Sequence, residues 1–305
     1  MGIIPSDLKN VNDMIEGYDT EVPTAIYAIA KTGKTMFVIQ EAFHLMSKIR
    51  KNTLFFSTEM GVKRYLDKLE PVFRKRFDVP DTCKIILVEC PPQEKHLEQV
   101  CAAFGKTIHL KMGDTGKVDV QFIGSKEGEI ERIIKNKNVG IMIVDSLTKP
   151  FKSEEFAGVL KNLPSRATGV NIWLNAIHSM AVRYKLITFV THHASMDPTN
   201  PYSTPGMTGG SDINYDFKIQ IYMQQSKSKQ YNKMRWVFVV RFFNVEEWSR
   251  KCRLWIDDNG YQDVTDEFMA KFQEKYKEAK KAREEEKKGK GKQEEKKTSD
   301  SEDED

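Results

Sequence analysis

The sequence predicts an α/β protein with a mostly parallel sheet flanked by helices and antiparallel strands on its C-terminal side. Three observations carry this. Short runs rich in β-branched and aromatic residues alternate with segments of helical periodicity along residues 1 to 268. Several runs, "AIYAIA" and "VGIMIVDS" among them, are apolar almost throughout, as strands covered on both faces must be. The last three runs follow one another with no helical segment between them.

In order, "AIYAIA" (25 to 30) reads as a buried strand, and "TMFVIQEAFHLMSKIR" as a helix with Phe37, Ala42, Leu45 and Ile49 on one face. "NTLFFST" is the next strand, "KRYLDKLEPVFRKRF" a helix, "KIILVEC" a strand and "QEKHLEQVCAAFG" a helix. Residues 107–123 suggest an inserted hairpin turning at Gly113 to Gly116. The helix "GEIERIIKN" leads into "VGIMIVDS", and the helix "NIWLNAIHSMAVRYK" into "LITFVTHH". "DFKIQIYM", "RWVFVVRFF" and "RLWIDD" close the set.

Composition bounds the function classes. No apolar run approaches the roughly 18 residues needed to span a bilayer, and "MGIIPSDLKN" lacks the basic-then-apolar order of a signal peptide, so a cytoplasmic protein without membrane contact is expected. Cys83, Cys90, Cys101 and Cys252 form no CxxC pair and have no His at metal spacing, which argues against zinc or a disulfide framework. The composition changes near residue 270: from Lys271 onward there are twelve Lys/Arg and twelve Asp/Glu, with five acids in the last six residues. Residues 269–305 are therefore expected to form a charged tail, helical at first and too poor in apolar residues to fold as a globule. It reads as a solubilising tail, or as an acidic end competing with a polyanion for a basic groove. The net charge of +4 then belongs to residues 1 to 270, with 36 basic and 32 acidic residues, too mild a balance to diagnose nucleic-acid binding.

In a parallel sheet the chemistry sits where strands end and helices begin. At the first such junction stand Gly33, Lys34 and Thr35. A phosphate loop needs backbone N–H groups at a helix N-terminus, a lysine for the terminal phosphates and a hydroxyl for magnesium. The glycine expected five residues before Gly33 is Ala28, so a surface turn with an incidental lysine is the competing reading. A second strand ends at Glu59 and a third at Asp145 and Ser146. An acid after an apolar strand is costly to bury unless it serves a metal, a water or a donor. In these roles Asp145 would hold magnesium and Glu59 would polarise an attacking water.

These motifs, taken in order, resemble the archaeal RadA/RadB branch of the RecA superfamily and its KaiC-like relatives, over about residues 5 to 265. "DLKNVNDMIEGYDTEVPTAIYAIAKTGKTMF" is similar to the family's opening, "FFSTEMG" to the strand ending in its catalytic glutamate, and "IVDSLTKPFKSEEFAGVLKNLPSRATGVNIWLNAIHSMA" to the stretch from the second Walker motif through the first DNA-binding loop. "FVTHHASMDPTNPYSTPGMTGGSDINYDFKIQIYM" resembles the strand, second DNA-binding loop and Gly-Gly turn that follow, and "MRWVFVVRFFNVEEWSRKCRLWIDDNGYQDV" the final strands. The resemblance implies a RecA-like P-loop core that binds ATP and Mg2+. It implies a nucleotide site of Ala28, Ala30, Lys31, Thr32, Gly33, Lys34, Thr35, Met36 and Ser146, metal ligation by Thr35 and Asp145, and catalysis by Lys34, Glu59 and His193.

The departures are specific. The family's strand before the second loop usually ends Thr-Asn-Gln, the amide sensing the γ-phosphate; here Thr191-His192-His193 stands, with His193 the candidate sensor. Neither a helix-hairpin-helix domain nor a polymerisation Phe motif precedes the ATPase stretch, which argues against long filaments. The second loop offers Tyr202, Gly209 and Gly210 but no cation, so phosphate contacts to single-stranded DNA would fall to Lys149, Lys152, Lys161 and Arg166. Lys233 and Arg235 lie where the family presents cations to a neighbouring subunit's nucleotide. The implied protein is a RadA-like paralogue in recombination or repair, binding single-stranded DNA through loops near 149–168 and 195–212, as a homo-oligomer or with a RecA-family recombinase. A KaiC-like switch for protein partners and a catalytically weak nucleotide-binding adaptor are the alternatives.

Overall fold

The computed structural model describes residues 2–92, 95–112, 118–152, 163–195, 205–207, 216–243, 245–246, 248, 250–279 and 281. The chain divides into two compact units, Met1–Asp263 and Val264–Asp305.

In the first unit, helix α1 (Lys9–Ile15) precedes strand β1 (Thr24–Ala28), α2 (Lys34–Ile49), β2 (Asn52–Ser57), α3 (Val62–Phe77) and β3 (Ile85–Glu89). Helix α4 (His96–Ala103), the strands β4 (Lys106–Met112) and β5 (Val118–Ser125), α5 (Glu129–Asn136) and β6 (Val139–Asp145) follow. A 3-10 turn (Lys149–Lys152) and helix α6 (Leu163–Tyr184) lead to β7 (Ile187–Ser195) and β8 (Gly206–Met207). The unit closes with β9 (Ile219–Gln225), β10 (Met234–Phe242), β11 (Val245–Glu246), β12 (Lys251–Asp257) and β13 (Gly260–Asp263).

The main sheet runs β13-β12-β10-β9-β1-β7-β6-β2-β3. From β9 to β3 every neighbouring pair is parallel, and β10, β12 and β13 extend the other side antiparallel. Every residue of β1 and β6 is buried. Their side chains alternate between two apolar layers. Ile26, Ile141 and Ile143 pack with Phe37, Phe43, Leu69 and Phe73 of α2 and α3. Tyr27, Met142 and Val144 pack with Val100, Ile130 and Trp173 of α4, α5 and α6. Burial on both sides is what made these strands read as unbroken apolar runs.

The hairpin expected over 107–123 is present as a separate two-stranded sheet, β4 with β5; its turn at Gly113 to Gly116 lies outside the described residues. Helix α6 begins at Leu163, eight residues before the expected Asn171, with Pro164 in its first turn, where no intrahelical N–H donor is needed. The strand β13 was not anticipated. It follows β12 through a tight turn at Asp258-Asn259, closed by the Asn259 N–H donating to Asp257 Oδ1 at 2.8 Å.

Two features fix the helix that follows β1. The segment before β1 closes on itself through paired backbone bonds between Ile4 and Tyr18 and packs on α2. There the Ser6 hydroxyl donates to Glu41 Oε1 at 2.8 Å, and Gln40 donates to both Asp7 Oδ2 and the Tyr261 carbonyl at 3.0 Å. Glu41 is fully buried, and desolvation pushes its pKa from an ordinary 4.5 up to about 8. At its start, α2 is capped by Gly33 in the left-handed region (φ 108°). A Cβ there would fall inside contact distance of Tyr261 Oη and 2.9 Å from Ile256 Cδ1.

In the second unit a helix, α7, covers 266 to 279. It carries an i,i+4 pair, Glu267 with Lys271 at 2.6 Å, and a ladder of stacked rings, Phe268 on Phe272 and Phe272 on Tyr276, at centroid distances of 6.5 and 6.4 Å. No helix among the described residues is long and apolar enough to cross a membrane.

Two outcomes are expected. The folded protein holds on Glu41 a proton that the unfolded chain releases near pH 4.5, so this contribution is lost as pH rises through about 8. The melting temperature should therefore fall between about pH 4.5 and 8 and level off above, and Glu41→Gln should remove most of that fall. Gly33 and Gly61 both have positive φ, worth about 1–2 kcal/mol against alanine. Nothing stands within 4 Å of a Cβ at Gly61, so Gly33→Ala, which adds the overlap with Tyr261, should lower the urea midpoint clearly more than Gly61→Ala.

Candidate functional site

The C-terminal ends of β1, β2, β6 and β7 share one edge of the sheet: Ala28 is level with His193, and Ser57 with Asp145. At this edge lies a cleft of about 530 Å³. Lys31, Lys34, Thr35, Glu59, Asp145 and His193 line it, joined by Ala30, Gly33 and Met36 of the same loop and helix turn. Residues that are neighbours here stand far apart in the chain, Thr35 and Asp145 by 110 positions.

The loop between β1 and α2 is held by its own side chains. Lys34 Nζ donates to the carbonyls of Ala28 and Ile29 at 3.2 and 3.3 Å, and the Thr32 hydroxyl to the Ile29 carbonyl at 2.9 Å. Ala28 is the last residue of β1, fully buried, and is not among the residues of positive φ. An alanine therefore satisfies the backbone where a glycine was expected. The left-handed conformation falls instead on Lys31 (φ 64°) and Gly33.

Asp145 stands at the centre, 2% exposed. It accepts from the Thr35 hydroxyl at 2.7 Å and from the Thr191 hydroxyl, so one carboxylate ties α2, β6 and β7 together. Burial raises its pKa, and the two hydroxyls oppose the rise. Ser146 is buried behind it, its N–H donating to Thr58 Oγ1 at 3.1 Å while the same hydroxyl donates back to the Ser146 carbonyl at 2.8 Å. This clamp places Glu59, one residue further, at the cleft. Glu59 Oε1 is 3.5 Å from His193 Nε2 and accepts from Ser146 Oγ at 3.4 Å. The histidine beside it holds the Glu59 carboxyl below its ordinary range, with Lys149 and Lys34 acting in the same direction.

The two adjacent histidines separate, as strand neighbours do. His193 reaches the cleft. His192 is wholly buried on the other face, edge-on to Phe217 at 5.3 Å, and burial pushes its pKa down to about 3, so it is a neutral core residue.

Of the remaining expected residues, Lys149 sits close enough to act on Glu59. Lys152 ends the 3-10 turn and Arg166 lies in the first turns of α6. Lys161, Tyr202, Gly209 and Gly210 lie outside the described residues. Lys233 is exposed on the turn before β10. Arg235 differs from expectation: it is 6% exposed, and its Nε donates at 2.6 Å to the carbonyl of Thr32 in its own phosphate loop. Arg235 is thus turned toward its own phosphate loop, with its Nε and Nη1 taken up by carbonyls of that loop and of the preceding turn.

Sequence reasoning missed the apolar and aromatic wall of the cleft: Met60, Val62, Tyr65 and Ile256. It also missed Tyr261, whose hydroxyl lies 3.3 Å from the Thr32 carbonyl. The signal for Tyr261 was the run Asp258-Asn259-Gly260, turn residues after an apolar strand, whose return strand carries it.

Among solved structures, the crystal structure of the RadB recombinase is similar to this chain, with a TM-score of 0.56 and 15% identity over 85% of this chain and 98% of that one. At that identity the likeness establishes the fold, a RecA-like α/β core. No curated protein matches. The AAA domain family matches residues 3–198, which contain the phosphate loop, Glu59, Asp145 and His193. With well over half of its 305 residues inside that match, the chain belongs to the AAA domain family.

Proposed function

We propose that this protein binds and hydrolyses ATP in the cleft at the end of β1 and uses the cycle as a RadA-like paralogue acting on single-stranded DNA in recombination or repair. The observation that carries the first part is the Thr35 to Asp145 hydrogen bond of 2.7 Å at the mouth of a lysine-bearing loop. It supports a hydroxyl and a carboxylate set side by side where a phosphate-bound cation would sit.

The donor set suits magnesium, a hard cation that takes oxygen ligands and shares them with phosphates. Asp145 is a buried carboxylate whose hydrogen bonds come from two neutral hydroxyls, an arrangement that favours a cation nearby. Thr35 and Asp145 would hold the magnesium, which would supply charge neutralisation to the terminal phosphates. The rest belongs to the chain. Lys34 carries the charge that meets the terminal phosphates, and the loop N–H groups at the start of α2 orient them. Glu59, kept ionised by His193, takes the proton of the attacking water. His193, within reach of Glu59 and level with Ala28, would register the γ-phosphate.

The DNA part of the proposal draws on two things: the likeness to a recombinase, and the position of segments 149–168 and 195–212 after β6 and β7, the strands that bring Asp145 and His193 to the cleft. Assembly as a homo-oligomer or with a RecA-family recombinase belongs to the same reading. A complete set of Lys34, Thr35, Glu59 and Asp145 in one cleft speaks against a turnover-free adaptor.

The test is magnesium-dependent ATP hydrolysis with and without single-stranded DNA. Lys34→Ala should abolish turnover, Glu59→Gln should lower kcat by about 10²–10⁴ while nucleotide still binds, and DNA should raise the wild-type rate. Turnover indifferent to DNA would move the function to a protein-partner switch; binding without turnover would contradict the enzyme reading.

A further inference from the structure

We infer that Arg235 and Tyr261 are positioning residues for the phosphate loop, acting within their own chain by capturing the Thr32 carbonyl and thereby aiming the Gly33 N–H into the cleft. The inference rests on the nucleotide reading above and concerns how this chain prepares its site.

The bond between Thr32 and Gly33 is planar and trans, so its C=O and N–H point in opposite directions. Arg235 Nε donates to the Thr32 carbonyl at 2.6 Å, and Tyr261 Oη donates to it at 3.3 Å. Both donors come from the C-terminal strands, β10 and β13, and Gly33 lines the cleft. Fixing the carbonyl on the strand side turns the N–H of the same unit away from those strands. Without that capture the peptide can rotate and present an oxygen where an anion needs a donor.

Both donors are themselves held. Arg235 Nη1 donates to the carbonyls of Asn232 at 2.7 Å and Met234 at 3.1 Å, which satisfies a charge that is 6% exposed. Tyr261 exchanges backbone bonds with Gln40, its N–H donating to Oε1 at 2.6 Å and its carbonyl accepting from Nε2 at 3.0 Å. Its ring stands edge-on to Phe37 at 5.7 Å. Gln40 and Phe37 belong to α2, the helix whose start the loop forms, so helix and carbonyl clamp move as one body. The closeness of Tyr261 Oη to Gly33 is also what excludes a Cβ at that position.

Arg235→Gln and Tyr261→Phe test this by equilibrium binding of ADP and ATP with magnesium, alongside kcat. Loss of the charged donor should weaken both nucleotides about tenfold or more, and loss of the neutral hydroxyl about threefold. Tyr261→Phe keeps the ring and the backbone bonds to Gln40, so its nucleotide-free melting temperature should stay put while the rise on adding ADP shrinks. A purely structural role would move the first and spare the second. Mixing Arg235→Gln with Lys34→Ala should leave the turnover of Arg235→Gln at sub-saturating ATP as low as before mixing, because the clamp works in cis. Unchanged ADP affinity in Arg235→Gln, or a rise in that turnover on mixing, would overturn the inference and return Arg235 to a neighbour's site. A wild-type protein that binds no nucleotide would instead overturn the nucleotide reading, and this inference with it.

Discussion

A single buried carboxylate sets the terms for the functional edge of this fold. Asp145 ends a strand of seven buried residues, where desolvating a charge costs several kcal/mol unless donors compensate. Its compensation comes from Thr35 at the start of α2 and Thr191 on β7, so the carboxylate is tolerable only where those elements meet. The positive end of the α2 dipole lies at the same place and favours the ionised form. The apolar layers on both faces of the sheet bring the strands together, and the polar contacts at their ends decide the register in which the edge functions. Ser57 level with Asp145, and Ala28 level with His193, are consequences of that register.

The pair Glu59 and His193 shows how neighbouring positions on a strand diverge. Period two sends His193 to the cleft, where it holds the glutamate below its ordinary pKa, and sends His192 into the apolar layer beside Phe217, where burial keeps it neutral. One imidazole is placed to tune a carboxylate. The other fills space.

Much of the fold was legible because its central strands are buried on both faces and its helices carry one apolar stripe, signals that survive without partners in view. Gly33-Lys34-Thr35, Glu59 and Asp145, at or just past the ends of β1, β2 and β6, pointed to the candidate site for the same reason. What remained hidden depends on contacts across long chain separations. Arg235 follows an exposed turn lysine and reads as a surface cation; only the carbonyls of Thr32, Asn232 and Met234, supplied by the folded loop and turn, make its burial affordable. Tyr261 belongs to a four-residue strand with too short a pattern to stand out. Helix α6 begins before its apolar periodicity does, so its first turns carried no signal.

The proposed function depends most on Thr35 and the buried Asp145 as a seat for a phosphate-bound cation. The most direct measurement is the ATP dissociation constant by titration calorimetry at increasing magnesium, for wild type and Asp145→Asn. The account predicts wild-type affinity that rises with magnesium, and an Asp145→Asn protein that still binds ATP with that dependence largely lost. Wild-type affinity indifferent to magnesium, or an undiminished magnesium dependence in Asp145→Asn, would contradict it.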